Sequence, residues 1–157
     1  MHVLLATDGS ELALEAARTA APLLNPALKI TLLSVITDLP ADSGAGGIEG
    51  PVYTPEQEEE IRRSEQTHAA KALADTEAAL HTALPNATID QRVDSGDPAS
   101  AICLAAKDLN VDLVVVGSHG KGFISRVVLG SVSEHVVRHS PCPVLVVHAK
   151  EPAKASD

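Results

Sequence analysis

Aromatic residues are almost absent from this chain. It has no Trp, one Tyr (Tyr53) and one Phe (Phe123). Proteins that bind single-stranded nucleic acid stack bases on aromatic side chains along a basic groove. The basic groove is missing too, since 21 acidic residues face 12 Lys and Arg and the net charge is −9. The composition therefore points to no nucleic-acid partner. Any anion held here must be held by local groups, because the overall field repels it. Cysteine is scarce: Cys103 and Cys142 fit no metal spacing such as C-x2-C. No apolar run approaches the ~20 residues of a membrane span. The opening "MHVLLATDGS" has no basic region ahead of its apolar stretch, so it reads as a first strand and not as a signal peptide. Reduced thiols and a cytoplasmic location are the expectation.

What is present is an alternation of β-rich runs and helix-period stretches. At 157 residues the chain is read as one domain over residues 1–149, with a polar tail over 150–157. "HVLLAT" is a first strand. Ser10 can cap a helix running to about Leu24, with Leu12, Ala13, Ala16, Ala17, Ala20 and Leu23 on its buried face. "KITLLSVI" (residues 29–36) is a second strand. Residues 37–55 lose periodicity and are rich in Gly and Pro, so they read as a loop, either a lid or slack. Residues 56–84 read as a long helix with Ile61, His68, Ala69, Ala72, Leu73, Ala79, Leu80 and Leu84 at near-helical spacing. "ATIDQRV" alternates like a strand with one exposed face. "GDPAS" starts a helix, with Asp97 as N-cap and Pro98 at the first helical position. "VDLVVVGS" (residues 111–118) is apolar throughout, the pattern of a strand covered on both faces. A helix follows near residues 132–139, and "CPVLVVHA" is the last strand.

This order predicts an α/β fold with parallel strands, right-handed crossovers and helices on both faces of the sheet. Ligands of such open sheets bind at the carboxyl ends of the strands. The segment "GSHGKGFISRVVLGSVSEH" (residues 117–135) follows the fourth strand and so falls at that edge. Its glycines fit neither of two familiar phosphate loops. A P-loop needs Gly five residues before the GK pair and Ser or Thr after it. Here position 115 is Val115 and Lys121 precedes Gly122. The spacing 117, 120, 122 also fails G-x-G-x-x-G.

The pattern that remains is Gly117-x2-Gly120-x9-Gly130-Ser131. With "TDGSE" after the first strand and "PCPVLVV" near the end, it resembles the universal stress protein family over nearly the whole chain, to about Ala149. The resemblance implies a Rossmann-like, adenine nucleotide alpha hydrolase-like fold: a three-layer α/β/α open sheet of five parallel strands in the order 3-2-1-4-5. It implies ATP, with Mg or Mn, as cofactor. Phosphates and ribose would meet Gly117, Gly120, Gly130, Ser131, Val132 and Ser133. Asp8 would lie near the nucleotide and Val35 against adenine, with Ala6 and Val116 lining the same edge more weakly. A homodimer through the last strand, Pro143 to His148, is implied as well.

The residue chemistry is compatible. Glycine lets backbone N–H groups approach phosphate oxygens, and a helix N-terminus favours anions. Ser131 and Ser133 carry hydroxyl donors. A plainer reading stands beside this one: Ser131 and Glu134 match an S-x-x-E capping box, with Gly130 only turning the chain. Asp8 can likewise be a turn residue. Lys121 and Arg126 could face phosphate or solvent. His119 is a loop residue. His135 and His139, four apart on a helix, can hold a metal but show no carboxylate or thiol partner, so they read as a surface pair. Cys142 reads as a buried small hydrophobe.

The leading expectation is an ATP-binding regulatory, stress-response protein with no assigned catalytic residue. Hydrolysis needs an oriented water and a base, and no spacing compels Asp8 or Glu134 into that role. The alternatives are a slow ATPase, an AMP or cyclic AMP sensor, and a dimeric interaction protein with no obligate ligand.

Overall fold

The computed structural model describes residues 1–24, 29–37, 53–118 and 129–148. Five strands and four α-helices alternate: β1 His2–Ala6, α1 Glu11–Ala20, β2 Lys29–Ile36, α2 Pro55–Ala83, β3 Thr88–Ser95, α3 Pro98–Asp108, β4 Leu113–Gly117, α4 Ser131–His139 and β5 Val144–Val147. The strands form one parallel sheet in the order β3-β2-β1-β4-β5. This is the 3-2-1-4-5 order that the resemblance implied. The central strand β1 pairs with β2 on one side and β4 on the other, so chain direction across the sheet reverses there.

Period-two alternation along the inner strands feeds two apolar layers. Val3 and Leu5 point to one face and pack with Ala16, Ala17 and Ala20 of α1 and with Leu73 and Leu80 of α2. Leu4 points to the other and packs with Ile102, Ala105 and Ala106 of α3 and with Val136 of α4. Because both faces are covered, the middle of β4 can be apolar at every position, and Val114, Val115 and Val116 are all buried. The edge strand β3 keeps its polar face, which carries ion pairs between Lys29 and Asp90 at 3.0 Å and between Arg92 and Asp94 at 2.7 Å. Charge on an edge strand discourages pairing with another chain.

Local signals set the helix starts. Ser10 caps α1 by accepting from the Ala13 N–H, and Asp97 caps α3 by accepting from the Ser100 N–H at 2.8 Å. Pro98 occupies the first turn of α3 as expected. Thr54 and Gln57 form a full capping box on α2.

Several expectations need correction. The first helix ends at Ala20 and continues as a 3₁₀ turn, Ala21–Leu23, around Pro22, whose ring removes a helical N–H. Leu23 is therefore exposed, and Leu24 takes the buried position instead. On α2, His68 is exposed and Ile61 only half-buried. The buried stripe is Ala69, Ala72, Leu73, Thr76 and Leu80. The charged first half of that helix offers a single apolar residue, Ile61, and so cannot join the core. Cys142 is half-buried, not buried, as is Cys103. Strand and helix limits otherwise shift by one to three residues. Of the loop read over residues 37–55, residues 38–52 lie outside the described residues, so the lid reading does too.

Candidate functional site

The carboxyl ends of β1, β2 and β4 meet where the sheet order reverses. β1 leaves the sheet through Thr7, whose N–H still reaches the Leu33 carbonyl of β2 at 2.9 Å. Asp8 then turns the chain. Its Oδ1 accepts from the Ser10 N–H at 3.0 Å and from the Ser10 hydroxyl at 2.7 Å. The turn role read for Asp8 is thus present, and its carboxylate sits at the ligand edge of the sheet. Gly9 has φ +71°, and a Cβ built there would lie 2.6 Å from the Ala72 Cβ. The turn therefore presses directly on α2.

A buried chain of hydrogen bonds fixes the same contact. The Thr76 hydroxyl lies 2.7 Å from the Ala72 carbonyl, which can only accept, so Thr76 donates there. The Thr7 hydroxyl, 3.0 Å from the Thr76 oxygen, must then donate to it, and itself accepts from the Gly9 N–H at 3.2 Å. Each hydroxyl is used as donor and acceptor in an apolar setting, where an unpaired one is costly. Thr76→Val keeps the shape but strands the Thr7 proton, and should cost ~1–3 kcal/mol. In urea melts, Thr7→Val with Thr76→Val should cost less than the two single changes summed; strict additivity would refute the chain.

The other wall is built from β4 and α4. The Ser118 N–H donates to the Val147 carbonyl at 2.8 Å, and the Ser118 carbonyl accepts from the Gly130 N–H at 2.9 Å. The chain thus returns onto the residue from which it left the sheet. Ser133, buried in the first turn of α4, donates its hydroxyl to the Gly117 carbonyl at 2.5 Å. That hydroxyl braces α4 against the end of β4 and has no second proton to give.

The capping box read at Ser131 and Glu134 is not formed. Gly130 is the N-cap of α4 and has no side chain to cap it with, and Ser131 is already the first helical residue. Glu134 pairs instead with Arg138 at 2.6 Å. The cap position fell to Gly130 because its N–H is tied to Ser118 and its carbonyl accepts from the Glu134 N–H at 2.8 Å. The first N–H groups of α4, at Ser131, Val132 and Ser133, have no carbonyl of their own helix to meet. They leave the partial positive end of the helix dipole at the sheet edge. Gly130 has φ −61° and ψ 150°, a backbone that any residue adopts. Glycine is thus not required there for conformation; what it provides is the lack of a side chain in front of the helix.

Apolar side chains complete the floor. Ala6, Val35 and Val132, all half-buried, pack with buried Val116 in the cluster shared by α3 and α4. Strand pairing sets them side by side, since Ala6 is opposite Leu33 on β2, and Leu5 opposite Val115 on β4. The structure therefore brings together eight of the sequence-predicted residues, Ala6, Val35, Val116, Gly117, Gly130, Ser131, Val132 and Ser133, with Asp8 on the adjoining turn. Gly120 lies outside the described residues, as do His119, Lys121 and Arg126. Sequence reasoning missed Gly9, Thr7 and Thr76. The "TDGS" turn carried a signal for Gly9; nothing local marks Thr76 as its anchor. Near the site, hydrogen bonds from Ser100 hold the Asp97 carboxyl below its ordinary range, and burial pushes the Cys103 thiol up. Among the described residues no group of three or more His, Cys, Asp or Glu converges as a metal cage.

A doubly wound parallel sheet with a glycine-edged helix start at its carboxyl end defines a three-layer Rossmann-like α/β domain. The chain belongs to the universal stress protein family, whose profile matches residues 1–148. It is 30% identical to universal stress protein MJ0531 of Methanocaldococcus jannaschii, over 97% of this chain and 83% of that one. It is similar in structure to the universal stress protein UspA from Lactobacillus plantarum, with a TM-score of 0.74 and 26% identity over 94% of this chain and 97% of the other. A universal stress protein in complex with cAMP has a TM-score of 0.61 and 25% identity, over 96% of this chain and 98% of that one. No helix among the described residues is long and apolar enough to cross a membrane.

Proposed function

We propose that this chain is a regulatory stress-response protein that binds an adenine nucleotide, ATP with Mg or Mn, at the carboxyl ends of β1, β2 and β4. The observation that carries this reading is the start of α4: three backbone N–H groups beyond the reach of their own helix, behind a glycine N-cap whose backbone does not demand glycine. An acidic protein can hold a polyanion only with such fixed local dipoles. Phosphates would meet Gly117, Gly120, Gly130 and the N–H groups of Ser131, Val132 and Ser133. Adenine would lie on Ala6, Val35, Val116 and Val132, with Asp8 selecting at the ribose side. The cAMP complex of a relative supports an adenine nucleotide as the ligand class.

The same reading includes a homodimer. β5 is an edge strand, and Val144, Leu145 and Val146 are only half-buried in the single chain. Apolar edges of this kind call for cover, and a second copy of β5 supplies it, from Pro143 to His148. A cytoplasmic site of action fits the reading, and no spacing compels Asp8 or Glu134 into the role of a base for hydrolysis.

Denaturing the purified protein and running the supernatant on anion exchange should release near-stoichiometric ATP. Protein stripped of nucleotide should melt higher with Mg-ATP, by more than with AMP or cAMP. No nucleotide and no shift would leave the ligand-free interaction protein as the better account. Steady phosphate release that disappears in Asp8→Ala would make the protein an ATPase.

A further inference from the structure

The C-terminal half of α4 carries two imidazoles that the nucleotide reading does not use, half-buried His135 and exposed His139. His135 and His139 are four residues apart, hence on one helix face. Their rings are stacked, with centroids 4.1 Å apart and planes 28° apart. The Nδ1 of His139 lies 2.9 Å from the His135 carbonyl oxygen. A carbonyl cannot donate, so Nδ1 carries the hydrogen. In the neutral ring this leaves the lone pair on Nε2. A backbone bond at one ring nitrogen is how proteins orient histidine for metal ligation through the other.

We propose that His135 and His139 form a two-imidazole site for a borderline divalent transition ion of the Zn2+, Ni2+ or Cu2+ class. Imidazole suits these ions, whereas Mg2+ and Ca2+ take oxygen ligands. Two further features favour a cation there. His139 is the last residue of α4, where the helix dipole is negative. The Asp97 carboxylate at the start of α3 lies within electrostatic range of His135, whereas Glu134 is already paired with Arg138. To chelate, the rings must leave the stack by rotating about their side-chain torsions until one lone pair from each points at the same ion; the helix spacing keeps them within reach. Water fills the remaining coordination positions.

The test uses the full chain without a polyhistidine tag, stripped of nucleotide, in the Cys103→Ser/Cys142→Ser background so that thiols do not compete. Calorimetric titration with Ni2+ should show one equivalent bound. His135→Ala and His139→Ala should each weaken it at least about tenfold, since loss of even an outer-shell partner costs 10–100-fold. His68→Ala should leave it unchanged, and helical circular dichroism should be unaltered in all three. Ni2+ binding that survives His135→Ala/His139→Ala in a folded protein, or no stoichiometric binding at all, overturns the site.

Discussion

Gly9→Ala is expected to be the most damaging single-methyl change in this protein, costing ~2–5 kcal/mol. Two independent penalties add. The φ of +71° places any L side chain in the left-handed region, worth roughly 1–2 kcal/mol. The new methyl would also sit 2.6 Å from the Ala72 Cβ and 3.0 Å from its Cα. Forcing α2 outward is an overpacking cost of ~1–3 kcal/mol. For a domain of this length such a loss lowers the melting temperature by roughly 5–20 °C. The double variant Gly9→Ala/Ala72→Gly separates the two effects. It relieves the contact but not the backbone strain, so it should recover part of the loss, even against the ~1 kcal/mol cost of a helical glycine. A Gly9→Ala protein melting within a degree or two of the parent would show that the turn does not rest on α2.

Gly130→Val should do the opposite: spare the fold and abolish nucleotide binding. The backbone at Gly130, φ −61° and ψ 150°, suits a β-branched residue, so circular dichroism and melting should change little. The isopropyl group would stand before the first N–H groups of α4. Losing two hydrogen bonds to a charged phosphate, at ~1.5–3 kcal/mol each, weakens affinity roughly a hundredfold or more. Fluorescence titration with a labelled ATP analogue on parent and variant measures it directly. Unchanged affinity in a folded Gly130→Val protein would remove the helix start from the site.

These two glycines also mark where the sequence could and could not be read. The sheet was legible because its signals are local: the unbroken apolar run of β4, the capped starts at Ser10 and Asp97, and the alternation in β3. The family resemblance singled out Ala6, Val35, Val116 and Gly117, and their positions at strand ends bring them to one edge of the sheet. The start of α4 was not legible in the same way. An S-x-x-E stretch reads as a capping box whichever residue takes the cap, and the choice was made by Gly130 bonding back to Ser118. Gly9 meets Ala72 across 63 positions of sequence, and Thr7 meets Thr76 across 69. Packing partners at that distance leave no periodic trace. Burial on α2 failed at Ile61 and His68 for a related reason, since a helix can keep its period after it has run out of core.

The return of the chain onto Ser118 ties the start of α4 to two neighbouring strands. Gly130 donates to the Ser118 carbonyl, and Ser118 is itself anchored to Val147 on β5. The Ser133 hydroxyl adds a tie to the Gly117 carbonyl at the end of β4. A substitution that loosens β5 should therefore be felt at the helix start, although no residue of β5 belongs to the proposed site.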